Sequence, residues 1–427
     1  MPCQIFNLIY NQMNMLSKSQ KRIKVLMKQN VVYVLLLIMV FSCKSDNKQL
    51  SNSDIPVIDL LKNYPKKEIH LQEIADIEYV ALETTDDVLL GESFCIIFHV
   101  SDEYILISDR RQAEIFVFNR DGKIITHFNR KGQRDSEYTS INLAVFDEKK
   151  EEIFVFSSDK KIVVFTLKGE HIRTLEYPIK LNIRESWDFD DETLLVYDEL
   201  LNGLITSIRA NFNSSSVTID PNPYKLISKK DGSVVSTLDI NLTERYQNVT
   251  FESVGGNAYA GYQIDAPNNR LFGQDRVLAD MSSDTIYLLS QNGDFNPLFI
   301  RTPSVHKSKP TIVWTTLLTT DKFIVLHKAV LDFEAAKQRN KVPPQILMYE
   351  FETGEIYEVH FVNDEYEGKG LAEVGSTTIA RNMAAHFYSM PELIKHYEEK
   401  KLKGNLGKLV ATLDADDNQV VAIMKFK

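Results

Sequence analysis

The sequence predicts an all-β fold: a six-bladed β-propeller of four-stranded antiparallel blades, closed by pairing its N- and C-terminal strands. Three observations predict it. Hairpins with glycine turns recur along the chain, further strands precede each hairpin, and each end carries a strand without a local partner. The unit is clearest at residues 115–128, IFVFNRDGKIITHF, where two runs of Ile, Val and Phe meet at Asp121-Gly122. Asp-Gly tolerates the positive φ of a tight hairpin turn. A lone hairpin is marginal in water, so a larger sheet must hold it.

The first 43 residues read as an address. Arg22, Lys24 and Lys28 precede the apolar run 31–41, which ends in Ser42-Cys43 and a polar stretch. Basic, apolar, then small is the order of a secretory signal, and eleven apolar residues are too few to remain as a spanning helix. Cys43 sits where a lipoprotein signal places its lipidated cysteine, although Phe41 is bulky for that motif. An ordinary cleaved signal is the alternative. Residues 1–26 read as an over-long start, with Met27 the expected initiator. The expected location is therefore the cell envelope, as an outer-membrane lipoprotein facing the periplasm or the surface. Residues 44–66 read as a polar linker and 67–427 as the propeller. The cysteines are Cys3, Cys43 and Cys95. With Cys3 untranslated and Cys43 lipidated, no internal disulfide can form, and Cys95 is expected to be a small buried hydrophobe.

From residue 67 the strands follow in order. The hairpins lie at 115–128, 162–175, 224–238, 285–293 and 346–360, with turn glycines at Gly122, Gly169, Gly232, Gly293 and Gly354. Their successive spacings of 47, 63, 61 and 61 residues describe a repeat with insertions. Each hairpin follows another strand, at 103–109, 152–157, 192–198, 276–280 and 322–327. A fourth strand lies upstream in most units, as at 96–100 and 312–316. Five turns give five blades. Strands at 77–83 and 418–426 supply a sixth, and pairing them closes the ring and removes its open edges. Short helices are expected as insertions in blades five and six. One is residues 333–339, and the other is 393–402, opened by Ser389 as a cap with Glu392 three positions on.

These features resemble a family. Residues 77–85 (IEYVALETT), Ile107-Ser108-Asp109 before the first hairpin, and the ending 416–426 (DDNQVVAIMKF) are similar to the exported six-bladed β-propeller proteins, lipoproteins by their N-termini, of Bacteroides-type bacteria. The resemblance runs from about residue 55 onward and implies the fold, with little about activity. Members carry a Gly-x-Gly-Pro-Gly-Glu-Tyr loop after the first hairpin. Residues 130–138 here read RKGQRDSEY, so Gly132, Glu137 and Tyr138 match while Asp135-Ser136 replaces the Pro-Gly step. A role that needs close backbone approach would be weakened by that change. A blade-to-blade connection with an inward-packed Tyr138 is the simpler reading.

Composition and motifs narrow the chemistry. A net charge of −10 without a Lys/Arg stripe beyond the N-terminus excludes a nucleic-acid partner. The nine histidines are scattered, with no His-x-His, His-Glu-x-x-His or Cys-x-x-Cys spacing. The acidic runs 188–192 and 414–417 lack the alternating ligands of a calcium loop and read as polar turns. No Gly-x-Ser-x-Gly elbow or phosphate-binding glycine loop occurs. No cofactor is predicted, and a non-enzymatic binding or scaffold module is the preferred reading. Its partner would be a glycan, peptide or protein, its membrane contact the N-terminal lipid, and its state monomeric. Trp187, Trp314 and Tyr262 are candidate ligand-stacking aromatics, although a strand Trp more often packs in a core. The alternative is a propeller hydrolase or lyase holding Ca2+ or another divalent cation in the channel, where ligands from several blades would escape motif reading.

Overall fold

The structure is a computed structural model that describes residues 55–91, 94–178, 180–199, 220–246, 249–255, 258–263, 270–272, 277–290, 292–338, 344–370, 377–380 and 382–427. The described chain opens with β1 (Val57–Asp59), β2 (Lys66–His70), one helical turn α1 (Leu71–Ile74) and β3 (Ala75–Ala81). Blade 1 is β4 (Cys95–Val100), β5 (Tyr104–Asp109), β6 (Glu114–Asn119) and β7 (Ile124–Asn129). Blade 2 is β8 (Leu143–Asp147), β9 (Glu152–Phe156), β10 (Lys161–Thr166) and β11 (His171–Glu176). Blade 3 is β12 (Ile183–Asp188), β13 (Thr193–Asp198), β14 (Tyr224–Ser228) and β15 (Val234–Thr237), and a separate hairpin follows, β16 (Val249–Gly255) and β17 (Ala258–Gln263). Blade 4 is β18 (Arg270–Phe272), β19 (Val277–Ala279), β20 (Thr285–Leu289) and β21 (Phe295–Thr302). Blade 5 is β22 (Ile312–Thr319), β23 (Phe323–Val330), helix α2 (Phe333–Lys337), β24 (Gln345–Glu350) and β25 (Ile356–Val362). Blade 6 is β26 (Thr377–Ala380), β27 (Met383–Tyr388), helices α3 (Met390–Glu398) and α4 (Gly404–Val410), and β28 (Val420–Phe426).

The ring closes as predicted. The outer strand of blade 6 is β3, antiparallel to β28 from Val420 opposite Ala81 to Phe426 opposite Ala75. The first strands β26, β4, β8, β12, β18 and β22 touch one another in that order around the centre. Blades stack face to face, so their middle strands are buried on both sides and read as continuous apolar runs instead of alternating ones. In β6, Ile115 and Val117 pack on blade 2, while Phe116 and Phe118 pack on blade 6. In β9, Ile153 and Val155 face blade 1 and Phe154 and Phe156 face blade 3. The same division repeats between blades 3 and 4, 4 and 5, and 5 and 6, so every pair of neighbours shares an apolar core. Each fully buried side chain contributes about 1.5–3 kcal/mol, which is how a ring without described disulfides holds together.

All five predicted turn glycines take positive φ, between 70° and 87°. In blades 1 to 3 the turn also rests on the outer strand of the preceding blade. A Cβ at Gly122 would lie 2.3 Å from the Ala81 carbonyl oxygen, and one at Gly232 would lie 2.5 Å from that of Glu176. At Gly293 no atom lies within 4 Å. Gly293→Ala should therefore cost about 1–2 kcal/mol, the left-handed backbone penalty alone. Gly232→Ala should cost about 1–3 kcal/mol more, because backbone must shift. Urea melts of the two variants check the difference.

Blades 4 and 5 are bordered differently. β1 adds parallel to β21 and β2 adds parallel to β25, so each of these sheets has five strands. Ile58 and Leu60 are fully buried in the core between blades 4 and 5. The stretch 44–66 expected to be linker thus contributes a strand and two core residues. Residues 55–61 (IPVIDLL) are mostly apolar, but Pro56 and Asp59 interrupt any strand pattern, and β1 forms where β21 offers its edge.

Helix α2 falls where expected, with the Asp332 carboxylate accepting a 2.9 Å hydrogen bond from the Ala335 amide. Helix α3 starts at the predicted place by another device. Ser389 makes no side-chain cap bond, and Glu392 pairs with Lys369 at 2.8 Å. Helix α4 carries no helix signal in its sequence, since Gly404 and Gly407 are poor helix formers. Leu393, Leu406 and Val410 of the two helices pack on Val420 and Ala422. The same side of β28 presents Met424 and Phe426 to blade 5, so the helices extend that interface.

Candidate functional site

Antiparallel strands alternate direction, so the connections of each blade emerge at two ends. Those joining first to second and third to fourth strands are short turns, as at 101–103, 120–123, 148–151, 189–192 and 229–233. Those joining second to third strands, and each blade to the next, emerge at the opposite end. This second face carries α2, α3, α4 and the β16–β17 hairpin. Loops positioned by a rigid scaffold are where binding residues concentrate.

Buried aspartates hold these connections. Asp109, at the end of β5, accepts from the amides of Arg111 (2.8 Å), Gln112 (2.9 Å) and Gly91 (3.1 Å). Asp198, at the end of β13, accepts from the Asn182 amide at 2.8 Å, and burial raises its pKa. Asp280, just after β19, accepts from the Ser282 amide and from the Tyr197 hydroxyl, both at 2.8 Å. The Arg245 guanidinium donates to that hydroxyl and to the Asp198 carbonyl, tying blade 3 to blade 4. The signal was in the sequence as three runs ending alike, ILISD, LLVYD and VLAD.

Among the cations of this face are Arg110, Lys160 and Arg184. Arg110 directly follows Asp109, and its amide donates to the Phe94 carbonyl at 3.1 Å. Its side chain is exposed, yet loss of hydration and then the Arg184 charge lower its pKa. Arg184 is the second residue of the innermost strand β12 and donates to Glu199 at 2.8 Å. Lys160, in the β9–β10 connection, donates to the Leu181 carbonyl at 2.6 Å. Burial lowers its pKa, countered by Asp198 and reinforced by Arg184.

The family-type loop joins β7 to β8. Tyr138 is fully buried between blades 1 and 2, donates to the Ala113 carbonyl and accepts from the Arg130 amide, both at 2.9 Å. Glu137 accepts from the Arg134 amide at 3.0 Å, and its carboxylate lies where a Cβ at Gly132 would stand. A larger residue at Gly132 would displace that carboxylate. Trp314 lies in the core between blades 4 and 5, with its indole N–H donating to the Ser283 carbonyl at 3.0 Å. Its ring is fully buried there. Trp187 is half-buried against the core between blades 3 and 4. The backbone of Tyr262 pairs with Thr250 in the β16–β17 hairpin. Cys43 lies outside the described residues. Cys95 is half-buried beside Asp109, and burial, then that carboxylate, push its thiol up to about 12. The acidic runs form turns: Asp190 accepts from the Glu192 and Thr193 amides, and Asp417 accepts from the Asp414 amide. Among the described residues no group of three or more His, Cys, Asp or Glu is placed to hold a metal ion.

Residues 55–425 match a family described as a domain of unknown function, DUF4934. The chain belongs to this family. No curated protein matches this DUF4934 chain. A solved structure of a Bacteroides fragilis protein classed as exported is similar to it at a TM-score of 0.56 and 13% identity, over 87% of this chain and 99% of that one. A Bacteroides vulgatus protein of the DUF4221 family is similar at a TM-score of 0.44 and 10% identity, over 83% and 99%. The resemblance to exported six-bladed propellers of Bacteroides-type bacteria holds.

Proposed function

We propose that this DUF4934 propeller is a binding module of the cell envelope, tethered by lipid on Cys43 and holding its ligand on the loop-rich face. The observation that carries this reading is the unequal decoration of the two faces. Among the described residues, helices α2, α3 and α4 and the β16–β17 hairpin lie in connections of one face, while the described connections between first and second and between third and fourth strands, as at 101–103, 120–123, 148–151 and 229–233, are short turns. A ring serving as a plain spacer has no reason for such asymmetry, whereas a binding scaffold builds its ligand contacts from loops on one side. The N-terminal order of basic, apolar and Cys43 supports export and tethering. No described helix is long and apolar enough to cross a membrane.

The test joins address and face. Cys43→Ala should move the protein from the membrane fraction to the soluble one after expression in a Gram-negative host. Glycan-array binding and cross-linking in intact envelopes should then capture a ligand at residues of the loop-rich face. Membrane retention of Cys43→Ala would overturn the tether, and cross-links confined to the short-turn face would overturn the assignment of the face.

A further inference from the structure

We propose that Arg110, Lys160 and Arg184 form a binding site for an acidic polysaccharide, carboxylated or sulfated, at the mouth of the central channel. This rests on the binding-module reading and names its ligand class. The three residues are distant in sequence, and the topology collects them. Arg110 follows β5 of blade 1, Lys160 joins β9 to β10 of blade 2, and Arg184 lies in β12 of blade 3. All three stand at the loop-rich end of adjacent blades whose inner strands β4, β8 and β12 touch in turn.

The charge pattern is unusual for this chain. Its net charge is −10, and many of its cations have carboxylate partners, such as Arg173 with Glu152, Lys149 with Asp191 and Arg120 with Glu78. Arg110 has no ion pair or side-chain hydrogen bond among the described residues. Of the acids next to them in the chain, Asp109 is held by three backbone amides and Asp159 pairs with Lys161 at 3.3 Å, while Glu185 adjoins Arg184. Asp198 offsets part of the burial cost at Lys160 and lies 3.8 Å from the Lys225 ammonium. Glu199 is the carboxylate that Arg184 holds. Cations within reach of one another and partly stripped of water repel, and an anionic ligand relieves both costs.

A polymer fits better than a single small anion, because the charges are spread over three blades. Beside them Phe94 is 46% exposed, with the Arg111 guanidinium 4.8 Å from its ring centre. A flat apolar surface next to fixed cations suits a sugar ring that carries an acid group.

Affinity electrophoresis in gels containing heparin, polygalacturonate or neutral dextran tests this with the full chain. Wild type should be retarded by heparin, by polygalacturonate or by both, with dextran inert, and added salt should weaken the retardation. Heparin alone would identify sulfate as the group bound, and polygalacturonate alone carboxylate. The Arg110→Gln/Arg184→Gln double variant should bind at least about tenfold more weakly. Lys149→Gln, on the short-turn face, should bind like wild type. Equal affinity of the double variant and wild type, or wild type bound by neither acidic polymer, overturns the proposal. A neutral glycan or protein captured with both arginines replaced would leave the binding module standing and this site refuted. Capture of nothing in any format would refute both.

Discussion

A chain ended at Gln419 should not fold. Strand β28 buries Val420, Val421, Ile423 and Met424 completely, and Phe426 nearly so. It feeds the cores on both sides of blade 6 and the helix cluster above it. At about 1.5–3 kcal/mol for each large side chain, these residues alone contribute roughly 8–15 kcal/mol. That is comparable to the roughly 5–15 kcal/mol net stability of whole domains. The truncation also leaves β3 and β27 as unpaired edges, which invite association with other chains. Near-ultraviolet circular dichroism and limited trypsin digestion should show loss of fixed tertiary structure. A truncated chain that keeps a cooperative thermal transition would mean the ring is held by something other than its closing strand.

Lys229→Met should be the most costly single substitution on the short-turn face. The Lys229 ammonium, 3% exposed, sits 2.5 Å from the Asp147 carboxylate, itself 3% exposed, and also contacts Asp188. It thereby pins the β14–β15 turn to the ends of β8 and β12. Removing the cation leaves a buried carboxylate without its partner, a loss of about 3–5 kcal/mol. The expected readout is a matching drop in urea stability with an unchanged slope. Replacing both partners, as Lys229→Met with Asp147→Leu, should recover much of the loss, because a matched apolar pair avoids the desolvation cost. A single variant within about 1 kcal/mol of wild type would show that water screens the pair.

What was legible in the sequence follows from which features are local. Gly122 and its four counterparts announced the hairpins because the turn needs positive φ, a property of one residue. The middle strands announced themselves because blades bury both faces, producing runs such as Ile115 to Phe118. Closure followed from two strands that lacked neighbours. The N-terminal border was not legible. β2 reads KKEIH with three exposed residues, and it is a strand only because β25 offers its edge. Trp187 and Trp314 look alike in sequence, yet one is half-buried and the other sealed, a difference set by neighbouring blades. The cationic mouth was hidden for the same reason: Arg110, Lys160 and Arg184 are separated by 50 and 24 residues, and only the ring brings them to one face.

Hydrogen exchange of the protein with and without the retained acidic polymer tests the central claim most directly, that the loop-rich face over blades 1 to 3 holds the ligand. Exchange should slow at residues 110–113, 157–160 and 180–184 and stay unchanged at 120–123, 189–192 and 229–232. Protection confined to those short turns would contradict the account.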